Sequence, residues 1–306
     1  MKVSLIDLDI NKHTRRKFPN LALMKLAAYH KQRGDQVNLN SLLERPDRVY
    51  ASAVFSWHRK AANGLPENSI IGGPAWSDGA GLAPEIEHIM PDYSLYPELD
   101  FSIGFTSRGC IRHCRWCKVP ELEGGIRATA SFLEFWDRRH SRVLLLDNNL
   151  LAAPNCADTL RELSNSPVEV DFNQGLDIRL LTDFDAALLA RIRTAKLRFA
   201  FDNLAYESSV REGIKLLDNA GIKRRHLSFY VLVGFPGDES WLERMKLMAS
   251  FNVDVYPMIY RDEDGTSATV TRETVPNIFW HGARANITKF LSVAGRIGGR
   301  GVLGSP

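Results

Sequence analysis

The chain has 306 residues, of which 44% are hydrophobic and 25% charged, and its formal net charge at neutral pH is +3. This balance is typical of a soluble globular protein with one large or two ordinary domains. No apolar run reaches the roughly 20 residues that a bilayer-spanning helix needs. The first residues, MKVSLIDLDINKHTRRK, have acidic side chains inside a short apolar run and no small-residue cleavage site. They therefore predict a buried strand and exclude a signal peptide.

We accordingly expect a cytoplasmic protein with no membrane partner. In that reducing compartment, clustered cysteines are more often metal ligands than disulfides. Local basic runs occur at 13–17, 137–142 and 223–226. Solvated surface is their first interpretation and a phosphate-bearing or nucleic-acid partner the second, because Lys/Arg clusters alone do not establish such a partner.

Residues 1–95 predict a small open-sheet, Rossmann-like domain followed by a linker. A helix is predicted over 21–34, where apolar residues recur at helical spacing and Gly34 is a suitable C-terminal cap. Strands are predicted at VSLIDL (3–8), VYASAVFSW (49–57) and SIIGG (69–73). The segment 84–100, rich in Pro and Tyr, is predicted as the linker out of this domain.

Residues 96–262 predict six strands, none separated from the next by a hairpin signal. They are FSIGFTS (101–107), RVLLLDNN (142–149), VEVDFNQ (168–174), LRFAFDN (197–203), the first part of SFYVLVGFPGDE (228–239), which continues into a Gly/Pro loop and a helix start, and VDVYPMIY (253–260). The helices between them are predicted to begin at caps such as Thr182, with Asp185 three residues on, and Asp238. The fold class is therefore α/β, a partial TIM-like barrel of six β-units. Residues 263–306 are predicted as a helical extension with a flexible tail.

Polar residues gather where these predicted strands end, which is where the chemistry of parallel barrels sits. They are Asp147, Asn148, Asn149, Asn173, Gln174, Asp202, Asn203, Gly234, and Tyr256 or Tyr260. The first strand runs directly into a loop that contains three of the four cysteines.

These three cysteines, Cys110, Cys114 and Cys117, have the spacing C-x3-C-x2-C. Thiolates at such spacing suit zinc or an iron–sulfur cluster. A structural zinc site needs four ligands, so Cys156 or His113 would have to complete it. A 4Fe–4S cluster held by three cysteines would instead leave one iron open for a non-protein ligand, whereas a purely electron-carrying cluster normally takes four.

The motif C-x3-C-x-aromatic-C, with Trp116 as the aromatic residue, resembles the signature of the radical S-adenosylmethionine enzymes. The resemblance covers roughly residues 100–260. It implies that S-adenosylmethionine binds the open iron, and that an electron from the cluster cleaves it to methionine and a 5′-deoxyadenosyl radical, which abstracts hydrogen from a substrate. A reductase, flavodoxin or ferredoxin is the implied electron donor.

The resemblance also implies which residues contact the cofactor. Asp147, Asn148 and Asn149 stand where the family commonly has Gly-Gly-Glu, a departure also found among relatives with an N-terminal cobalamin-binding domain. Asn173, Gln174 and Arg179 would reach the cofactor's carboxylate or ribose, although a surface ion pair is an equal interpretation of Arg179. The backbone of Val233, Gly234, Phe235 and Pro236 would line the adenine, and Trp116 would lie against it. Asp202 completes the predicted cofactor-binding set.

The N-terminal domain is similar to the cobalamin-binding-like domain of some of these enzymes, with Ser56 and the Gly72-Gly73 region as matching features. No Asp-x-His-x-x-Gly motif supplies a cobalt ligand, so a degenerate domain that only shapes the substrate entrance is the alternative to cobalamin binding. No cysteine precedes Cys110, which disfavours a methylthiotransferase with a second cluster.

The resulting hypothesis is a radical enzyme for hydrogen abstraction or methyl transfer, with a weak preference for a nucleotide or nucleic-acid substrate over a peptide or small molecule. The alternative is a non-catalytic zinc or iron–sulfur module that senses redox state and recognises nucleic acid.

Overall fold

A computed structural model of the chain describes residues 1–10, 18–76 and 81–266. The N-terminal elements are β1 (Lys2–Asp7), α1 (Leu21–Gln32), β2 (Gln36–Leu39), β3 (Arg48–Ser52), β4 (Ile70–Gly72) and the short α2 (Pro84–Glu87). The four strands form one parallel sheet in the order β2-β1-β3-β4. This is the open α/β arrangement that the sequence predicts.

Helix α1 begins and ends where its sequence predicts. The Asn20 side chain accepts a hydrogen bond from the Leu23 N–H at 3.3 Å, which satisfies one of the free donors of the first turn. Beyond the last turn, Gly34 adopts φ +78°, the left-handed conformation that closes many helices. The apolar side, including Leu23 and Met24, is fully buried.

Three details of this region differ from the predictions, and the first is β2 (Gln36–Leu39), where no strand is predicted. The predicted strand over 49–57 is too long, because β3 ends at Ser52 and a 3-10 helix spans Ser56–Gly64. The segment 84–100 is packed rather than a free linker, since Tyr93 and Tyr96 are buried. The Tyr93 hydroxyl donates to the Phe135 carbonyl at 2.6 Å and the Tyr96 hydroxyl to Asp7 at 2.8 Å. Each phenol thereby gains the polar partner that its burial requires.

The second series contains all six predicted strands. Its elements are β5 (Phe101–Gly104), β6 (Ser107–Arg108), α3 (Val119–Leu122), β7 (Arg127–Ala128), β8 (Arg142–Leu145), α4 (Cys156–Ser164), β9 (Glu169–Phe172), α5 (Asp183–Leu189), β10 (Leu197–Ala200), α6 (Glu207–Asn219), β11 (Leu227–Val233), α7 (Trp241–Ser250) and β12 (Asp254–Ile259).

These strands form two parallel sheets in chain order, β5-β8-β9 and β10-β11-β12. Isolated parallel bridges, Glu169 with Arg193 and Leu176 with Phe199, connect the two sheets. All six strands therefore run in the same direction and bring their carboxyl ends to one edge. The short antiparallel pair of β6 and β7, which encloses the cysteine loop, was not predicted.

Successive side chains along these strands point to opposite faces of the sheets, and the two faces pack against different parts of the chain. Val143, Val170, Phe199 and Val231 lie in one large core with the helices. The opposite face of β5 and β8 packs against the N-terminal region, in a second cluster. Its buried members are Leu21, Met24, Tyr93, Tyr96, Phe101, Ile103 and Leu144. The N-terminal sheet and the second series therefore share apolar contacts.

The predicted helix caps have mixed outcomes. The Thr182–Asp185 capping box is confirmed, with the Asp185 N–H donating to the Thr182 hydroxyl at 3.2 Å. Asp238 as an N-cap is wrong, because α7 begins only at Trp241. No described helix has the length and apolarity needed to cross a membrane. Of the predicted extension and tail, 263–306, residues 267–306 lie outside the described residues.

Candidate metal and cofactor site

The cysteine loop leaves the carboxyl end of β5 and returns through α3 and β7. It depends on Gly109, which has φ +80°. A Cβ atom there would lie 2.2 Å from the Gly125 carbonyl oxygen and 2.7 Å from that of Gly124, so only glycine fits. The Cys110 N–H donates to the Gly124 carbonyl at 3.2 Å, which closes the base of the loop.

Glu123 joins this loop to the end of β8. Its carboxylate accepts from the Gly109 N–H at 2.9 Å, from the Asn148 amide at 2.8 Å and from Arg108 at 3.3 Å. No local pattern indicated that one carboxylate would hold the turn before Cys110 and the strand end together.

The three cysteines are half-buried and influence one another electrostatically. Burial raises the pKa of the Cys114 and Cys117 thiols, and the neighbouring cysteines raise it further. Arg179 opposes this effect on the pKa of Cys114. Thiols held in such surroundings lose their protons when a metal supplies the compensating positive charge.

The geometry offers no support for a closed zinc site. Within the described part of the chain, no group of three or more His, Cys, Asp or Glu side chains could hold one metal ion. His113 is exposed, and Cys156 lies in the apolar core, where burial raises its pKa to about 12. The ligands of a single zinc must all lie within about 2.3 Å of it, whereas the irons of a cluster each take a separate ligand.

Asp147 binds the backbone before the cysteine loop. Its buried carboxylate accepts from the Thr106 and Ser107 N–H groups at 3.1 and 2.6 Å, and from their hydroxyls at 2.7 and 2.6 Å. Burial raises the pKa of this carboxyl, and these donors lower it. Asp147 is thus a positioning residue in this structure, and its predicted cofactor contact stays a prediction.

Asn149 reaches the cysteine site directly. Its amide nitrogen lies 3.5 Å from the Cys110 sulfur, and the side chain is almost fully buried. Its Oδ1 atom is buried and has no hydrogen-bond partner among the described residues. A buried acceptor without a donor is costly, which points to a partner that a bound molecule would provide.

Asp177 ties the loop after β9 to the cysteine loop. Its carboxylate accepts from Arg112, between Cys110 and Cys114, at 3.0 Å. It also accepts from Arg179 at 2.6 and 2.8 Å, and the Arg179 guanidinium lies 4.2 Å from the centre of the Tyr206 ring. Both interpretations of Arg179 therefore remain, because it forms an ion pair and also lies near Cys114.

The remaining residues after β9 and β10 lie at the same edge. Asn173 is half-buried, Gln174 is exposed, and the Tyr230 hydroxyl donates to the Asn173 carbonyl at 2.8 Å. Asp202 accepts from the Leu232 N–H at 2.8 Å, and burial raises the pKa of its carboxyl to about 6. Asp202 also acts electrostatically on Cys114 and Cys117. A carboxyl with a raised pKa close to thiols is typical of functional sites.

An aromatic cluster connects the cysteine loop to β11 and β12. The Trp116 ring lies 5.6 Å from Phe235 and the Phe235 ring 5.0 Å from Tyr260, both edge to face. Val233 and Gly234 are buried, Pro236 is exposed, and Gly234 has φ +79°. The fold thus brings Trp116 to the strand-end loop predicted to share its adenine site.

The described basic runs are largely paired. Arg139 binds Asp137 at 2.6 Å and Arg224 binds Asp218 at 2.7 Å, both at the surface. These pairs agree with solvated surface. A nucleic-acid partner stays a prediction.

Comparison with known proteins gives a similarity in fold alone. No family model matches the chain, and no curated protein matches it in sequence. Among solved structures, the chain is similar to the radical S-adenosylmethionine methyltransferase TsrM from Kitasatospora setae, determined with cobalamin and a 4Fe–4S cluster bound. The TM-score is 0.58 and the identity 12%, over 84% of this chain and 74% of that one. A match of that extent reaches well beyond residues 96–262.

Proposed function

We propose that this protein is a radical S-adenosylmethionine enzyme. The observation that supports this most is the cysteine loop, with three half-buried free thiols at the carboxyl end of the first of six parallel strands. The similarity in fold to a methyltransferase of that class supports the same conclusion. We further propose that the six strands form a partial barrel, with the two sheets joined at the β9–β10 bridges.

The residues present fit a 4Fe–4S cluster with S-adenosylmethionine on its open iron. Cys110, Cys114 and Cys117 would hold three irons, and the unpartnered Asn149 oxygen beside Cys110 suits the cofactor's amino group. When bound, the cluster and the cofactor would supply radical chemistry, in which one electron from the reduced cluster yields methionine and a 5′-deoxyadenosyl radical. Asp177 and Glu123 hold the loop in place, and the Trp116–Phe235 pair offers apolar surface for the adenine.

Cobalamin is the second cofactor in this proposal. A solved structure that is similar in fold carries it, and that similarity covers 84% of this chain, more than the second series alone contains. The residues fit a ligand there, since the carboxyl edge of β3 exposes Phe55 and Trp57 beside the region that contacts the cysteine loop. Methyl transfer is then the reaction we favour over hydrogen abstraction alone, with the substrate class left as the weak preference for a nucleotide.

Anaerobic reconstitution with iron and sulfide tests the proposal. We expect about four irons and four sulfides per chain. Under dithionite, we also expect S-adenosylmethionine to be converted to 5′-deoxyadenosine or, by methyl transfer, to S-adenosylhomocysteine. The Cys114→Ala variant should lose both, whereas Cys156→Ala should keep the cluster. Stoichiometric zinc, or a cluster that never turns the cofactor over, would instead support the sensing alternative.

A further inference from the structure

Strand β11 extends beyond the end of its neighbour β10. Strand β10 ends at Ala200, and just after it the Phe201 N–H donates to the Tyr230 carbonyl at 2.9 Å. Alternate residues of a parallel strand direct their N–H and C=O groups toward the same neighbour. Leu232, two residues after Tyr230, therefore faces the side of β10 at a level that β10 itself does not reach. Buried backbone groups at such a place need partners from elsewhere.

Two charged side chains bind Leu232 in place of a neighbouring strand. The Asp202 carboxylate accepts from the Leu232 N–H at 2.8 Å, and the Arg244 Nη2 atom donates to the Leu232 carbonyl at 2.8 Å. Asp202 follows β10 and Arg244 lies on α7, so three elements meet at one residue of β11. Leu232 directly precedes the segment 233–236, which is predicted to line the adenine. The direction in which the chain enters that segment therefore depends on these two side chains.

Arg244 also holds the far end of the same segment. Its side chain is fully buried, and its guanidinium donates to both carboxylate oxygens of Asp238, at 2.9 and 2.7 Å, and to the Ser240 hydroxyl at 2.7 Å. The Asp238 N–H donates to the Phe235 carbonyl at 3.0 Å, which closes the turn. One guanidinium thus connects Leu232, before the segment, to Asp238, after it.

A buried arginine is a weak choice for fold stability alone. Four of its five N–H donors are bound, and the fifth, on Nε, is buried without a hydrogen-bond partner among the described residues. Replacing a buried ion pair by apolar side chains of similar volume is often neutral or stabilising. What an apolar side chain cannot provide is the planar fork that binds a carboxylate and a backbone carbonyl together.

We propose that Arg244 is a positioning residue for the nucleoside part of S-adenosylmethionine. It sets the conformation of 233–236 through Leu232 and Asp238, and it does not itself contact the cofactor. This role rests on the proposed function, because the segment is assigned to that cofactor there. Phe235 of the segment meets Trp116 with ring centres 5.6 Å apart, so a displaced segment would also separate the two rings that offer surface to the adenine.

Equilibrium dialysis of full-length, cluster-loaded protein against S-adenosylmethionine tests the role. Arg244→Met should weaken binding by about tenfold and leave the iron content unchanged. The matched control is Arg224→Met, since Arg224 also binds a carboxylate, Asp218 at 2.7 Å, and a backbone carbonyl, that of Phe251 at 2.9 Å. Arg224 makes these contacts at the opposite, amino end of β11, so its replacement should leave the affinity at the wild-type value.

Two further measurements separate positioning from a general loss of structure. In the cofactor-free protein, Arg244→Met should raise hydrogen exchange at the amides of 233–235 and leave exchange in the cysteine loop unchanged. Arg244→Lys keeps the charge beside Asp238 but lacks the fork. It should therefore bind the cofactor with an affinity between those of wild type and Arg244→Met, and it takes over the test if the methionine variant does not fold.

Three results would overturn the role: wild-type affinity in the Arg244 variants, an equal loss of affinity in Arg224→Met, or a rise in exchange spread over the whole chain. Wild-type protein that binds no S-adenosylmethionine would instead refute the proposed function. The exchange measurement distinguishes the two failures, because it detects the effect of Arg244 on the segment without any cofactor.

Discussion

Asn149 combines two features at the scale of a single residue, a contact with Cys110 and a buried oxygen without a partner. If that oxygen accepts from the cofactor, replacing Asn149 by Leu removes a costly buried group from the free protein and a hydrogen bond from the complex. We expect unchanged or slightly higher thermal stability, and about tenfold weaker S-adenosylmethionine binding to the cluster-loaded protein.

Asn155 is a matched control for this prediction. Its Oδ1 is also buried without a partner, but its amide donates to the Thr106 carbonyl at 3.0 Å. Asn155→Leu should therefore lower the stability and leave cofactor affinity unchanged. Equilibrium dialysis and thermal melts distinguish the two variants, and equal affinity of Asn149→Leu and wild type would refute the role assigned to Asn149.

Asp202 makes stability depend on pH. Its folded-state pKa of about 6 exceeds the ordinary 3.8, so the native protein binds the proton more tightly than the unfolded chain. Its contribution is therefore neutral below about pH 4, becomes destabilising between about pH 4 and 6, and reaches on the order of 3 kcal/mol at neutral pH. Asp202→Asn should melt at a higher temperature than wild type at pH 7 and at nearly the same temperature at pH 4.

Asp238 should behave in the opposite way. Burial raises its pKa, but the hydrogen bonds from Arg244 and Ser240 and the charge of Arg244 together lower it more, so the pKa lies below the ordinary value. Its stabilising contribution is present above pH 4 and is lost on acidification. Asp238→Asn should therefore destabilise the protein at pH 7 and lose its effect at low pH.

A pH-independent difference between Asp202→Asn and wild type would contradict the assignment of the raised pKa to Asp202.

At the scale of elements, the cysteine loop depends on one backbone conformation. Gly109→Ala would place a Cβ atom 2.2 Å from a carbonyl oxygen of the same loop. We expect the variant to bind severalfold less iron on reconstitution, because the loop cannot close with the cysteines in place. Gly124→Ala is the control, since Gly124 also has a positive φ, +72°, but open space at its Cβ. Gly124→Ala should lower the free energy of unfolding by about 1–2 kcal/mol and retain the cluster.

At the scale of the whole molecule, α1 joins the N-terminal sheet to the strands of the second series. Met24 is fully buried in the cluster that contains Ile103 of β5 and Leu144 of β8. Met24→Ala should lower the free energy of unfolding by about 2–5 kcal/mol. We expect the substitution to lower the midpoint temperature of one cooperative transition that both regions share, rather than to create a separate transition at a lower temperature.

Calorimetry checks this prediction, with Met90→Ala as the control. Met90 is 41% exposed, so its truncation should change the transition temperature little. Two separated transitions in Met24→Ala would show that the regions unfold independently.

The six-strand series and the cysteine loop could be predicted from the sequence because their signals are local. Apolar runs bounded by turn residues predict buried strands, and three cysteines at ligand spacing after the first strand predict a metal site. Gly34 and the Thr182 cap are confirmed for the same reason, since each acts within a few residues of its own position.

The contacts that organise the site depend on tertiary structure. Arg112 binds Asp177, 65 positions away in the chain, and Asp9 binds His58, 49 positions away. No sequence pattern predicts a contact at either spacing. Asp147 is predicted to contact the cofactor because it follows a strand, and in the structure its carboxylate accepts hydrogen bonds from Thr106 and Ser107. The sequence by itself thus determined which groups could bind a metal and which strands carry them. Only the packing of those strands decided which side chains meet, because strand order and loop geometry set distances that local propensity does not encode.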